Sequence, residues 1–243
     1  MENRYYKAYS NALGREMECK IYGHGGRPFL FVPCQDGRFF DFEDFHMVDV
    51  FAPWIESGEV MVFAIDTLDK ETWSAQGDAY WRVRRHEQWM HYIVGEMVPF
   101  IRGISGRSDI VAFGCSLGAT HAVNLFYRFP DHFNGLLALS GIYHAGYGFG
   151  DYMDELVYNN SPVDFLNNMP WDHPYIGMYN ERKILICVGQ GAWEDVLLES
   201  TRRLDEVMYR KGIHARFAYW GHDVNHDWPW WYKMVACYAP DFL

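Results

Sequence analysis

One short segment of the chain combines the residue types that a nucleophilic serine requires. Residues 110–119 read IVAFGCSLGA, so an apolar run leads into a Gly-x-Ser-x-Gly motif centred on Ser116. This pattern is typical of a buried strand, a tight turn and the start of a helix, and a serine on such a turn carries its hydroxyl above the edge of a sheet. The alternative is a serine in an ordinary strand-to-helix loop. Because apolar side chains then recur at helical spacing as far as Pro130, we favour Ser116 as a nucleophile.

A serine hydroxyl needs an imidazole to accept its proton and a carboxylate to orient that imidazole. In chains with this turn, the acid and then the histidine follow the serine, on loops after later strands. The loop after the apolar run at residues 184–188 contains two adjacent carboxylates, Glu194 and Asp195. Asp195 also suits the N-cap of the helix that follows, a structural duty. Glu194 is therefore the preferred acid, and Asp195 is the alternative.

Two histidines lie in the loop that follows the last apolar run. Residues 221–230 read GHDVNHDWPW and supply His222 and His226. Asp227 and Pro229 are typical of a helix start, which places His226 just before a helix N-terminus. The His-x-x-x-His spacing resembles a metal site, with Asp223 as a further ligand, but the Gly, Asp, Asn and Pro residues predict a loop. We therefore predict no metal and no cofactor, and the residues alone leave both histidines as candidate bases.

An oxyanion hole requires two backbone N–H groups that point at the developing negative charge. Leu117, the residue after the nucleophile, is expected to supply one of them. The other is expected on the loop at residues 33–38, PCQDGR, where Gly37 permits unusual backbone angles. Gly37 or Arg38 is therefore the candidate second donor. Cys34 is not favoured as a nucleophile, since no histidine-bearing signature surrounds it.

Short apolar runs alternate with segments of helical period, which predicts an α/β fold with a mainly parallel sheet covered by helices on both faces. The chain has 243 residues, of which 49% are hydrophobic, and this size suits a single domain over residues 1–243. Strands are predicted at residues 17–22, 28–32, 60–65, 110–113, 136–139, 184–188 and 215–220. Helices are predicted at residues 42–55, 80–101, 117–129 and 196–211.

The interval at residues 142–182 interrupts this alternation. It has no clear strand pattern and is rich in aromatic residues. An insertion at this point of the chain would overhang the catalytic edge of the sheet, so a cap-like role is one interpretation. The other is that its rings pack the insertion onto the domain.

Composition excludes several classes of function. The net charge is −11, from 21 basic and 32 acidic side chains, which disfavours binding to nucleic acid or to an anionic membrane. The five cysteines are odd in number and widely spaced, so free thiols are expected. No signal-peptide core and no run near the roughly 18 apolar residues of a membrane span is present. We expect a soluble, cytoplasmic protein; a homo-oligomer stays open.

The motifs resemble those of the "Putative esterase" family of α/β hydrolases, which includes esterase D, feruloyl esterases and mycolyltransferases. Residues 114–119, GCSLGA, resemble the family's elbow, and residues 226–228, HDW, resemble the motif that carries its catalytic histidine. Residues 189–194, GQGAWE, are similar to the mycolyltransferase loop that bears a catalytic glutamate. Residues 36–38, DGR, are similar to an Asp-Gly-x motif whose third residue donates an oxyanion-hole amide.

The resemblance implies an α/β-hydrolase fold and a serine esterase that acts on a small-molecule ester through an acyl-enzyme. It favours His226 as the base, Glu194 as the acid and Arg38 as the second oxyanion donor. Two departures stand out, since the acid loop is longer than the family's usual Gly-x-x-Asp and Pro33-Cys34-Gln35 replaces a common His-Gly pair.

Three rival functions remain at this point. An acyltransferase would use the same residues with an alcohol or amine in place of water. A binding module would use the fold without turnover. Metal-dependent hydrolysis would use His222, Asp223 and His226.

Overall fold

A single eight-stranded sheet forms the centre of the computed structural model, which describes residues 1–243. Its strands are β1 (Asn3–Ser10), β2 (Arg15–Tyr22), β3 (Arg27–Val32), β4 (Val60–Ile65), β5 (Ile110–Cys115), β6 (Phe133–Leu139), β7 (Lys183–Val188) and β8 (Arg216–Tyr219). Their order across the sheet is β1-β2-β4-β3-β5-β6-β7-β8. Strand β2 pairs antiparallel with both of its neighbours. All other pairings are parallel, so β2 alone runs against the other strands.

Helices cover both faces of this sheet. They are α1 (Asp41–Asp44), α2 (Met47–Glu56), α3 (Ala79–Tyr92), α4 (Val98–Ser105), α5 (Leu117–Arg128), α6 (Gly146–Phe149), α7 (Glu155–Asn159), α8 (Pro162–Asn168), α9 (Pro174–Asn180), α10 (Asp195–Lys211) and α11 (Trp228–Tyr238). A π-helical segment, Ile93–Met97, joins α3 to α4. Two 3₁₀ segments lie at Asp69–Glu71 and Ala239–Phe242. None of the helices has the length and apolar composition needed to cross a membrane.

Two hydrophobic cores lie on opposite faces of the sheet. Successive side chains of a strand point to opposite faces, and in β3 Leu30 packs into one core while Phe29 and Phe31 pack into the other. The same alternation occurs in β5, where Ala112 and Phe113 separate in this way. A central parallel strand must be apolar on both faces, which is why these runs are recognisable in the sequence. The predicted mainly parallel α/β architecture is confirmed.

Two element predictions need correction. Strand β1 was not predicted because it lies at the edge of the sheet and leaves Tyr5 and Tyr9 more than half exposed. Its alternation of polar and aromatic residues therefore lacks the apolar run of a central strand. The single helix predicted at residues 42–55 is two helices, since His46 adopts a left-handed backbone conformation (φ 57°) between α1 and α2.

The interval at residues 142–182 contains no strand and folds into the four short helices α6 to α9. Most of its rings pack against the domain. Tyr179 is fully buried and its hydroxyl donates a hydrogen bond to the Tyr127 carbonyl, while Phe149 packs with Trp73. Tyr147 differs, because it is 60% exposed and lines the cavity beside Ser116.

Candidate active site

The candidate residues gather at one edge of the sheet because the strands before them are parallel. Ser116 follows β5, Glu194 follows β7 and His226 follows β8. The carboxyl ends of parallel strands face the same way, and ligands of open α/β sheets bind outside those ends. Residues that are distant in the chain therefore converge in space.

The backbone at Ser116 is held in a rarely populated conformation. Its φ is 55° and its ψ is −130°, which is the strained turn expected of an exposed nucleophile. The second glycine of the motif permits a close approach, since a Cβ atom on Gly118 would lie 2.2 Å from the Val32 carbonyl oxygen. The absence of side chains here lets α5 begin directly against the end of β3. Ser116 thereby lies beside the loop that follows β3.

Ser116, His226 and Glu194 form a continuous series of polar contacts. Ser116 Oγ lies 2.9 Å from His226 Nε2. His226 Nδ1 lies 3.5 Å from Glu194 Oε2. His226 Nδ1 and Glu194 Oε2 are both buried, and neither has another hydrogen-bond partner. Each is therefore the only polar group with which the other can pair. Contacts of this kind commonly shorten when substrate binds.

Two residues that the sequence did not indicate fix the Glu194 carboxylate. Glu194 is fully buried, and its other oxygen, Oε1, accepts a hydrogen bond of 2.6 Å from the Ser140 hydroxyl. Ser140 Oγ in turn accepts a bond of 3.2 Å from the Trp231 indole N–H. The Trp231 ring also meets His226 edge-on, with 4.9 Å between ring centroids. The one available signal was the position of Ser140 directly after β6, at the edge where the other site residues lie.

The acid and histidine loops are joined by their backbones. The His226 N–H donates to the Ala192 carbonyl at 3.0 Å, and the Gly191 N–H donates to the Val224 carbonyl at 2.8 Å. A Cβ atom on Gly191 would lie 2.7 Å from the Val224 carbonyl oxygen, so only glycine permits this approach. The distance between imidazole and carboxylate is therefore set by main-chain contacts between two loops.

The alternative residues form no hydrogen bond with Ser116 Oγ, whose partner is His226. Asp195 is exposed and is the first residue of α10, while the buried Glu194 occupies the N-cap position without a side-chain capping bond. The expectation that Asp195 caps this helix is therefore wrong. His222 is also exposed, unlike the half-buried His226. No group of three or more His, Cys, Asp or Glu side chains is arranged to hold a metal ion.

The loop between β3 and α1, residues 33–40, here called the β3–α1 loop, contains one free amide beside Ser116. The N–H of Gln35 donates to no acceptor in the protein, and Gln35 lines the same cavity as Ser116 and Leu117. By contrast, the Gly37 N–H donates to the Cys34 carbonyl at 2.9 Å.

Arg38, the expected second donor, faces a different part of the molecule. Its backbone N–H faces the Asp41 carboxylate. Burial raises the pKa of the Asp41 carboxyl, and the hydrogen bond from the Arg38 amide lowers it. Its guanidinium pairs with Asp66 at 2.8 Å and with Glu18 at 2.6 Å. Gly37 and Arg38 both line a separate polar cavity that does not include Ser116. The structure therefore does not bring the Gly37 and Arg38 amides together with the serine.

Cys34 is poorly suited to act as a nucleophile. Burial raises the pKa of its thiol far above the ordinary range, and the nearby Asp41 and Asp69 carboxylates raise it further. Since the thiolate is the reactive form, Cys34 stays an inert thiol. All five cysteines of the chain are free, in agreement with the sequence.

A cavity of about 230 Å³ opens at Ser116 and His226. No Asp, Glu, Lys or Arg side chain lines it, and Gln35 is its only amide side chain. The other lining residues are Leu117, Ile142, Tyr147, Trp193, Val196 and Leu197. Trp193 is 83% exposed and has a left-handed backbone (φ 69°), which is a rare conformation for a bulky residue. A larger depression of about 780 Å³ lies at the opposite edge, where β7 and β8 begin, away from the serine.

A mainly parallel sheet with a Gly-x-Ser-x-Gly turn after its central strand defines the class of α/β hydrolases. Within that class, the family model described as "Putative esterase" matches residues 10–237, and the chain belongs to this family. The family supports ester hydrolysis as the activity. No curated protein matches the chain by sequence.

Three solved structures illustrate the similarity of fold. A ferulic acid esterase has a TM-score of 0.76 at 16% identity, over 99% of this chain and 97% of that one. Mycobacterium tuberculosis MPT51 (FbpC1) has a TM-score of 0.71 at 14% identity, over 99% and 97%. The S-formylglutathione hydrolase FrmB of Staphylococcus aureus has a TM-score of 0.69 at 14% identity, over 97% and 94%. At these identities the likeness establishes the fold, and the predicted α/β-hydrolase fold is confirmed.

Proposed function

We propose that the chain is a serine esterase whose nucleophile is Ser116. The observation that carries this proposal is the 2.9 Å contact between Ser116 Oγ and His226 Nε2, at the edge of the cavity. The imidazole accepts the serine proton as Oγ attacks the ester carbonyl carbon. Glu194, opposite Nδ1, selects the imidazole tautomer and stabilises the imidazolium that forms.

The amides of Leu117 and Gln35 bind the oxygen that gains charge in the tetrahedral intermediate. Leu117 is the first residue of α5, where backbone N–H groups are free and the helix dipole favours negative charge. Gln35 supplies the free N–H on the facing loop. We therefore propose Gln35 in place of Gly37 or Arg38 as the second donor.

The reaction proceeds through an ester of Ser116. When the intermediate collapses, the bond to the leaving alkoxide breaks and His226 returns its proton to that oxygen. Water then attacks the acyl-enzyme and His226 accepts a proton from it. As the bond between the acyl carbon and Ser116 Oγ breaks, His226 passes that proton to Oγ, so the acid product and free Ser116 are released. No step requires a metal or a redox partner.

The cavity indicates a small, neutral acyl group. Its volume of about 230 Å³ lies below the roughly 300–1,000 Å³ typical of sites for drug-sized ligands. Its lining contains no charged group to bind an ionic substrate other than the histidine itself. Water is the favoured acceptor, because the rim residues Tyr147 and Trp193 are 60% and 83% exposed and leave the serine open to solvent. Acyl transfer would require that water be excluded from the serine.

Hydrolysis of short p-nitrophenyl esters by the wild type and by Ser116→Ala tests this function. We expect the wild type to hydrolyse the acetate and butyrate faster than a succinyl ester, and the variant to lose at least about 10⁴-fold in kcat. A fluorophosphonate probe should label the wild type at Ser116, as mapped by peptide mass spectrometry.

Two outcomes would contradict the proposal. Activity that survives Ser116→Ala would remove the serine mechanism, and activity lost to a chelator would favour the metal-dependent rival. Reactions run with added alcohol distinguish hydrolysis from acyl transfer, since a transferase would form the new ester in preference to the acid.

A further inference from the structure

We propose that the buried pair Asp69 and His121 positions the β3–α1 loop for catalysis, so that the Gln35 amide is held at the oxyanion site. This inference rests on the proposed function. Neither residue touches the cavity at Ser116, so both are positioning residues rather than catalytic ones.

The pair links the nucleophile helix to the β3–α1 loop. His121 lies on α5, which begins immediately after Ser116. His121 Nε2 lies 2.8 Å from Asp69 Oδ1, and both side chains are 1% exposed. The other oxygen, Asp69 Oδ2, accepts a hydrogen bond of 3.2 Å from the Asp36 backbone N–H. One carboxylate therefore joins helix and loop.

The loop residue that Asp69 holds is itself conformationally unusual. Asp36 has φ 60°, a left-handed conformation that a non-glycine residue adopts only when its surroundings impose it. The Ser74 hydroxyl donates to the Asp36 carboxylate, and the Thr67 hydroxyl donates to the Gly37 carbonyl at 3.3 Å. Thr67 and Ser74 lie on the same segment as Asp69, so residues 67–74 form hydrogen bonds with two consecutive residues of the loop, Asp36 and Gly37.

The Asp36 N–H and the Gln35 carbonyl belong to one planar peptide group. Fixing that group fixes one side of Gln35 and restricts the direction of its free N–H. Because His121 is on the helix whose first amide is Leu117, the chain of contacts sets the separation of the two proposed oxyanion donors. Preorganised donors lose their value when they are misaligned by a small distance.

The matched control is a second buried histidine in the same cluster. His86 on α3 is also 1% exposed, and its ring centroid lies 5.2 Å from that of His121. It forms no hydrogen bond with Asp69 or with the β3–α1 loop. His86→Leu and His121→Leu therefore remove the same kind of side chain from similar surroundings. Only His121→Leu breaks the contact between α5 and Asp69, and with it the link from α5 to the loop.

The experiment measures kcat and KM for a p-nitrophenyl ester, the affinity of an alkyl boronic acid, and the Tm. The boronic acid forms a tetrahedral adduct on Ser116, and its oxygen occupies the proposed oxyanion site. For His121→Leu we expect kcat to fall about 10- to 100-fold with KM within about twofold, and boronate affinity to weaken in the same proportion. For His86→Leu we expect both kinetic constants within about twofold of the wild type.

A double variant separates positioning from stability. His121→Leu leaves the Asp69 carboxylate buried with one partner fewer, so this variant could fold poorly, whereas His121→Leu/Asp69→Leu replaces both partners by apolar side chains and should regain Tm. We expect kcat of the double variant to stay low. In Asp69→Asn, the amide can still accept from Asp36 and donate to His121 in its other tautomer, so this variant should retain most of the wild-type kcat.

Two results would overturn the proposal. One is a double variant whose kcat recovers together with its Tm, and the other is a His121→Leu loss no greater than that of His86→Leu. Either result with a wild type that hydrolyses esters and is labelled at Ser116 would remove the positioning role alone. A wild type that is not labelled at Ser116 would remove the proposed function and this inference together.

Discussion

Two histidine–carboxylate pairs in this chain are largely buried, and they differ in what the second imidazole nitrogen can reach. His226 lies 3.5 Å from Glu194, is 18% exposed, and presents its other nitrogen to Ser116. His121 lies only 2.8 Å from Asp69, and both side chains are 1% exposed. The tighter pair is thus the one without access to a substrate. Pairing with a carboxylate does not by itself make a histidine a base.

The surroundings of the two imidazoles explain the difference. The Nδ1 atom of His121 has no partner, and its ring lies among Trp73, Trp89 and His86. His226 lies instead on a loop between β8 and α11, beside the cavity. A rigid, enclosed pair can transmit position, whereas a base must be able to exchange protons with a ligand.

The largest expected effect comes from His226→Ala. This change removes the only imidazole within reach of Ser116, and we expect kcat to fall by about 10⁴-fold or more in p-nitrophenyl ester hydrolysis. His222→Ala, on the same loop but exposed, is the control and should stay within about twofold. Similar losses of kcat in both variants would show that the loop acts as a unit. His226 could then no longer be distinguished from its neighbours as the base.

Glu194→Gln should have the next largest effect. The amide keeps the volume of the side chain, but it favours the wrong imidazole tautomer and cannot stabilise an imidazolium, so we expect kcat to fall by about 10³- to 10⁴-fold. Asp195→Asn changes the adjacent, exposed carboxylate and should leave kcat within about twofold. The reverse ranking, measured on the same ester, would transfer the role of the acid to Asp195.

The residues that were predictable from the sequence lie in motifs or follow strands in a known order. Ser116 is centred in a local pattern, and His226 lies before a helix start that Asp227 confirms by capping the N-H of Trp228. The apolar runs of the central strands identified the fold because both of their faces are buried.

The residues that escaped prediction act through contacts between distant segments. Ser140 reaches Glu194 across 54 positions of the chain, and His121 reaches Asp69 across 52. Neither has a flanking pattern, and each reads as an ordinary polar residue near an apolar run. The proposed donor at Gln35 was not predicted because it is a backbone N–H, and whether such a group is free depends on which neighbouring amides are already hydrogen-bonded.

Ser140→Ala tests how strictly the catalytic pair must be held. The change removes the hydroxyl that donates to Glu194 Oε1 and leaves a buried carboxylate with one hydrogen bond fewer, a loss of about 1.5–3 kcal/mol for a charged acceptor. If about half of this appears in the transition state, kcat falls about 4- to 12-fold. The control is Ser200→Ala, since Ser200 is also buried but bonds only to the Tyr143 backbone; it should reduce Tm and leave kcat within about twofold. An unchanged kcat in Ser140→Ala would show that Glu194 is held by its loop alone.

The smallest expected effect concerns His86, the buried neighbour of His121. It appears in folding stability rather than in turnover. Burial holds the pKa of His86 well below its ordinary value of 6.5, and the neighbouring His121 and Arg128 lower it further. Below about pH 6.5 the unfolded chain therefore binds a proton that the folded chain does not, so folding stability falls as the pH falls, by at most about 1.4 kcal/mol per pH unit for this group. In urea titrations between pH 7.5 and pH 5, His86→Leu should show a shallower loss of unfolding free energy than the wild type, while His91→Gln, an exposed change on the same helix, should show the wild-type slope. Equal slopes in all three proteins would mean that the enclosed cluster admits a proton, and the contrast between an enclosed and an accessible histidine would no longer hold.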